Sequence, residues 1–307
     1  MTTGTTTLTA RATAATPNPI RRAGFWGGDG SPVWAAIDQG VNHTLSGIRV
    51  VQTVIGGTPL AGLSVPQETV HFETLSIEEG LTLPYIEIAV RFSLSNGQVQ
   101  DPSGSAAVRL AKLAAKDLAL AEDLVFLQGE AGRHQFPATV RIESGEKHLG
   151  AGLLSQVHSK PIVVRPGGHG VSDSGDSILA AVVEGLARLS ATQSGPYYLI
   201  ADLNSFIATC GMTINGIPTS QVLTPALQGG SITASAAMPA NTALLIATGG
   251  DPTTIYVDTD PVTEPTQQEQ IGRFAMRTYE RVQYVASDPR AFVKLDFSKL
   301  ELAKPGK

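Results

Sequence analysis

The sequence predicts an α+β fold, and three stretches carry that prediction. Residues 101–129 contain almost nothing but strong helix formers between Asp101-Pro102 and Gly129. YIEIAVRFSLS alternates Ile86, Ile88, Val90 and Phe92 with polar or small partners, which is the period of a strand. IGRFAMRTYERVQYVASDPRAFVKLDF reads as two strands joined at Ser287, Asp288 and Pro289, residues that favour a turn.

The remaining elements follow in chain order. Residues 1–30 are rich in Thr, Ala and Gly and poor in core-forming residues, so they cannot offset their own ordering entropy and are expected to form an arm. Ser31 and Pro32 suit the N-cap and first turn of a helix in which Val33, Trp34, Ile37, Val41 and Leu45 recur at helical spacing up to Gly47. The β-branched run IRVVQTVIGG then predicts a strand. Residues 56–83, with scattered Pro and Gly and an alternation of Val70, Phe72 and Leu75, predict a long hairpin or extended loop without the apolar surface to fold against itself. The helix over 101–129 would be roughly 40 Å long at 1.5 Å per residue. PATVRIES and KPIVVRP read as β-rich, residues 176–192 as a second helix, YYLIA as a short buried strand, and Asp202 as the cap of a third short helix. Residues 212–241 suit exposed loops, and ALLIAT and TIYVDT suit paired strands.

Composition excludes several function classes. Charged residues make up only 16% of the 307, below the roughly 25% of ordinary globular chains. Much of the surface is therefore neutral, which is what copies of a subunit hide against one another. The 22 Lys+Arg against 27 Asp+Glu give a net charge of −5, which argues against a protein that wraps nucleic acid through a dense basic footprint. The arm is the local exception: Arg11, Arg21 and Arg22 against Asp29 leave it at about +2, enough for a few salt-sensitive phosphate contacts. A single cysteine, Cys210, rules out a disulfide framework and a multi-thiolate metal site within one chain, and fits a reducing compartment. With no apolar run of membrane-spanning length and no secretory signal, the expectation is a soluble intracellular protein with no membrane partner.

Catalytic patterns are sparse. His43, His71, His134, His148, His158 and His169 include no pair at helical metal-ligand spacing, so no metal site is expected. The GGHG loop at 167–170, followed by Ser172 and Asp173, offers the side chains of a hydrolase but no strand-turn-helix elbow to present the serine. Glu78-Glu79 and Glu122-Asp123 are adjacent acids that point different ways, cannot jointly flank a scissile bond, and are expected to be solvated. GGDG at 27–30 lacks the lysine and preceding strand of a phosphate-binding loop. Cys210 reads as a small core residue. Phe25, Trp26 and Trp34 fit either a partner anchor or, for Trp34, the core face of the first helix. No catalytic, metal or cofactor residue is expected, and the chain is not expected to be an enzyme.

In order, GSPVWAAIDQGVNHTLSGIRVV, LPYIEIAVRFSLS, AAKDLALAEDLVFLQGE, SGPYYLIADLNSFIATCG and RFAMRTYERVQYVASDPRAFVKLDF resemble the shell proteins of the Hong Kong 97 phage fold, which include tailed-phage major capsid proteins and encapsulins. The likeness covers roughly residues 30–300. It implies an N-terminal arm (1–30), a helix and strand (31–55), an extended loop (56–83), a peripheral domain (84–165 and 263–302) with a spine helix at 101–129, and an apical domain (166–262). The implied function is self-assembly into a closed icosahedral shell of pentamers and hexamers, each subunit laying its extended loop over the next. Leu63, Val65, Val70, Phe72 and Leu75 would then lie at subunit contacts, and Arg21, Arg22, Trp26, Trp34 and Ile37 would face the lumen or a partner. The favoured member is a phage major capsid protein enclosing double-stranded DNA in a virion assembled in the bacterial cytoplasm, because about 30 residues precede the first helix and the DPRAF turn is capsid-like. The alternative is an encapsulin nanocompartment around a cargo enzyme, and a hydrolase is remote. Neither content would be bound sequence-specifically, and any scaffold or portal would be a separate protein. Residues 56–83 contain no lysine, so the loop-to-neighbour isopeptide weld of some phages is not expected.

Overall fold

A computed structural model describes residues 19–300 except positions 23, 29–30, 72–73, 75, 144–148, 167–173, 214 and 271. Its helices are α1 (Pro19–Arg22), α2 (Pro32–Ile48), α3 (Val51–Ile55), α4 (Asn96–Gln100), α5 (Ser105–Gln128), α6 (Ser174–Ser190), α7 (Leu203–Thr209) and α8 (Thr219–Ala226). The strands are β1 (Gly57–Pro59), β2 (Ser64–His71), β3 (Ser76–Pro84), β4 (Ile86–Ser95), β5 (Val140–Ile142), β6 (Ile162–Val163), β7 (Ser194–Ala201), β8 (Ile232–Ala234), β9 (Thr242–Gly249), β10 (Thr253–Gln270), β11 (Arg273–Ala286) and β12 (Phe292–Asp296). One sheet runs β1-β10-β11-β4-β5, a second β6-β12-β9-β7-β8, and β2 pairs with β3 alone. A single continuous core joins α2 and α5 on the first sheet to α6 on the second.

The local signals for α2 hold. Ser31 accepts a hydrogen bond from the Trp34 N–H, Pro32 opens the helix, and Val33, Trp34, Ile37, Val41 and Leu45 are all buried. The long helix starts three residues later than expected, its cap moved from Asp101 to Gly104. Asp101 instead accepts from the Ser103 N–H and from the Ser103 and Ser105 hydroxyls, closing a turn before Gly104 caps α5 at φ +57°. A Cβ on Gly104 would lie 2.2 Å from Val33 Cγ1, so the glycine also lets the turn pass close to α2.

Two expectations fail for the same non-local reason. Residues 51–55 form helix α3 and not a strand, because the Asp123 carboxylate accepts from the Val50 and Val51 N–H groups and caps that turn from another element. Glu122 and Asp123 are not solvated but buried, since the C-terminal half of α5 is enclosed on all sides.

Strand placement also departs from the sequence reading. The β9 and β10 strands lie in different sheets. Residues 253–262, expected in the apical part, run into the first sheet, while β6 and β12, expected in the peripheral part, complete the second. Residues 212–241 are not all loop: they contain α8 and β8 and bury Leu223, Leu227 and Ala237. Cys210 is exposed, not a core residue. The described part of the arm folds back on the body, with Phe25 edge-on to Phe274 at 5.5 Å and Trp26 against Trp34 at 5.2 Å.

Candidate functional site

The feature that the core does not absorb is the ribbon of β2 and β3. Its two strands pair antiparallel from Ser64↔Pro84 to His71↔Ser76, with a bulge opposite Gln67 where a Cβ on Gly80 would sit 2.7 Å from the Gln67 carbonyl oxygen. The ribbon and its approach leave large aliphatic side chains in water: Leu81 is 80% exposed and Ile77 61% within β3, and Leu63, just ahead of β2, 85%. An isolated two-stranded hairpin is marginal in water, so such a ribbon takes its stability from a further surface.

The root, by contrast, is fastened within the chain. Val65, Tyr85 and Val285 form a small buried cluster with Leu83 and Tyr256 beside it. Gln283 Nε2 donates to the Pro84 carbonyl at 2.7 Å, and the Tyr85 hydroxyl donates to the Leu60 carbonyl. Burial and the Asp258 carboxylate push the Tyr85 phenol up to about 12. Asp258 accepts from the Gly62 N–H at 2.9 Å and from Arg281 at 2.6 Å. Ahead of these, β1 adds in parallel to β10, and the Leu60 N–H donates to the Val257 carbonyl. The chain therefore leaves and re-enters the body at fixed points.

Beneath this lies a buried ionic junction that the sequence did not signal. Arg49, at the end of α2, contacts Glu122 of α5 and Glu280 of β11, and both glutamates are fully buried. Burial pushes Glu122 well above the usual carboxylate range and also raises Glu280, each shift offset only in part by Arg49. Burial likewise raises Asp123, to about 6, against the opposing hydrogen bonds from Val51, Val50 and Ser235. One cation among three buried acids favours retention of a proton by the glutamates.

The expected contact residues separate. Leu63 is exposed, and Val65 is buried at the ribbon root in its own chain. Val70 lies opposite Ile77 in the ribbon register; Phe72 and Leu75 are outside the described residues. Arg22, Trp34 and Ile37 are also buried, which removes them from any lumenal surface. Arg22 is held by Asp38 at 2.8 and 2.9 Å and by the Thr263 carbonyl, 4.4 Å over the Trp34 ring. Arg21 pairs with Glu264, and Trp26 is partly covered by Trp34. Arg22 is thereby closed to an outside phosphate, whereas Arg21 stays about half exposed beside Glu264. The 167–173 loop of the hydrolase alternative is outside the described residues. Among the described residues no group of three or more His, Cys, Asp or Glu is placed to hold a metal ion, and no helix is long and apolar enough to cross a membrane.

No family model matches the sequence, and no curated protein matches it. Solved structures do match in shape. The virus-like particle from Pyrococcus furiosus superposes with a TM-score of 0.65 at 15% identity, covering 86% of this chain and 100% of the other. The Mycobacterium phage Bobi chain gives 0.59 at 16%, covering 82% and 91%. The chain adopts the Hong Kong 97 fold. The SrpI encapsulin complex of Synechococcus elongatus PCC 7942 matches with a TM-score of 0.54 at 10% identity over 97% and 96% of the two chains.

Proposed function

We propose that this chain is the shell-forming subunit of a closed icosahedral container, the major capsid protein of a tailed phage enclosing double-stranded DNA. The observation that carries the reading is the ribbon: fastened at its root, paired only with itself, and presenting Leu63, Ile77 and Leu81 to water. A neighbouring copy supplies the surface these side chains bury, and repetition of that contact closes pentamers and hexamers into a shell. The role is structural and not catalytic. Likeness in shape to a phage chain supports the capsid reading. The near-complete match to an encapsulin favours a second reading, a nanocompartment around a cargo enzyme.

Negative-stain microscopy of the purified protein tests the shell directly, and closed particles tens of nanometres wide are expected. Only monomers or small oligomers at high concentration would refute it. Nuclease-protected double-stranded DNA in particles from the native host is the capsid outcome; an enclosed enzyme without DNA moves the reading to the nanocompartment.

A further inference from the structure

Arg22 of α1 is buried against internal partners, and a larger group of exposed cations lies on α5. Residues 102–116 contain no acid, and within them Arg109, Lys112 and Lys116 are all exposed. They sit three and four residues apart, so they share one face of α5 and rise about 10 Å along it. Among the described residues none of the three has a carboxylate within ion-pair distance, unlike Arg133 with Glu130 or Arg188 with Glu184 on other helical segments. They rim an open groove of about 510 Å³ between α2 and α5, floored by Thr44, Val108 and Leu113.

One of these cations is placed by the backbone of the neighbouring helix. Gly40 of α2 is buried, and a Cβ there would lie 2.6 Å from Lys112 Cε and 3.2 Å from its Cγ. The missing side chain lets the Lys112 stem lie across α2 while its ammonium stays in solvent.

We propose that this stripe is a contact surface for the phosphate backbone of double-stranded DNA, lying on the face of the subunit turned toward the shell's contents. The inference rests on the DNA-container reading above. A duplex carries one charge per about 1.7 Å of axis, so roughly six phosphate charges run along the length of the stripe. Three cations with no sequence-reading partners supply attraction without base preference, as packing of any sequence requires. The ribbon of a second copy is the other acidic candidate, since residues 56–83 hold Glu68, Glu73, Glu78 and Glu79 and no Lys or Arg. That ribbon has three large aliphatic side chains to cover, whereas the stripe offers one exposed aliphatic, Leu113 at 48%. The charges would match, but the apolar surfaces would not.

The test is anisotropy of a fluorescein-labelled 30-base-pair duplex against the full-length protein held unassembled, below the concentration at which light scattering detects particles, over a NaCl series, comparing wild type with Arg109→Gln/Lys112→Gln/Lys116→Gln. Wild type is expected to bind with strongly salt-dependent affinity, and the variant to show a log–log salt slope shallower by about 2 to 3, one unit per lost contact. No duplex binding by wild type, or an unchanged slope in the variant, overturns the proposal while leaving the shell reading intact. Tighter binding of a peptide spanning residues 64–84 than of the duplex at matched charge reassigns the stripe to the ribbon and also overturns it. If the triple variant is poorly folded by circular dichroism, Lys112→Gln and Lys116→Gln alone should each flatten the slope by about one unit. Absence of closed particles under the microscope fails the shell reading instead, and the solution assay remains scorable.

Discussion

At the junction of α2, α5 and β11, Glu122 and Glu280 are fully buried and meet the Arg49 side chain, itself 9% exposed, within a single chain. Along the ribbon and its approach, Leu63, Ile77 and Leu81 stand in water, and among the described residues β2 and β3 pair only with each other. The junction is complete in the monomer, so it contributes to the stability of the subunit. The ribbon leaves its aliphatic side chains uncovered, so in the proposed shell its contribution is realised only when another copy arrives. Burying a leucine or isoleucine side chain stabilises by roughly 1.5–3 kcal/mol, and three per ribbon, repeated around a shell, make association strongly cooperative. On the proposed function, the same chain keeps its folding and its assembly on separate residues.

The largest expected effect comes from breaking that separation at the ribbon. Ile77→Asp with Leu81→Asp should abolish closed particles in negative stain, because each contact would bury two carboxylates against apolar surface. The subunit itself should unfold in urea within about 0.5 kcal/mol of wild type, as exposed positions do. A loss above about 2 kcal/mol in the isolated subunit would show that these side chains already pack within their own chain.

The junction should respond in the opposite sense. Arg49→Met keeps much of the stem but leaves two buried glutamates without their cation, a change that costs about 3–5 kcal/mol where it has been measured. Urea denaturation should register that loss, and Glu122→Gln with Glu280→Gln in the same background should recover part of it. No recovery would mean that the stem packing of Arg49, not its charge, holds the junction.

Acidity separates the two regions more gently. Asp123 is raised from 3.8 to about 6 in the fold, which corresponds to ~3 kcal/mol. Folded protein therefore holds this proton more tightly than unfolded chain, so the contribution is intact below about pH 3.8, declines as pH rises, and is fully lost above about pH 6. The stability difference between wild type and Asp123→Asn should shift by that amount against wild type from pH 4 to pH 7. A flat difference across that range would show an ordinary carboxylate at 123.

Where local chemistry decides structure, the sequence was informative. Ser31, Pro32 and the spacing of Val33 to Leu45 define α2 without help from elsewhere, and the alternation from Ile86 defines β4. The ribbon was legible as a segment too poor in apolar residues to fold alone. The failures all need a distant partner. The run Val51–Ile55 is β-branched, yet Asp123, some seventy residues on, caps it as a helix. Glu122 looks like a solvated acid until Arg49 and Glu280 close over it. The pairing of β12 with β9, and of β10 with β11, is a choice among similar strands that their own composition does not determine. Among the expected site residues, Val65 and Trp34 carried the right apolar signal, but that signal does not distinguish a side chain buried by its own chain from one buried by a neighbour.

The smallest effect lies where the two regions meet. Tyr85 stands at the ribbon root, its ring packed with Val65 and Val285 and its hydroxyl donating to the Leu60 carbonyl. Tyr85→Phe keeps the ring and removes only that hydrogen bond, so it should lower subunit stability by about 0.5–1.5 kcal/mol. Because Leu60 also donates its N–H to Val257, the link from β1 into the ribbon is loosened and not released. Shells should still close, with the critical concentration for assembly raised by less than about tenfold, the ratio equivalent to 1.4 kcal/mol. Light scattering against protein concentration measures that threshold. A complete failure to assemble with near-normal subunit stability would show instead that the hydrogen bond fixes the direction in which the ribbon leaves the body, and that assembly depends on its aim more than on its exposed side chains.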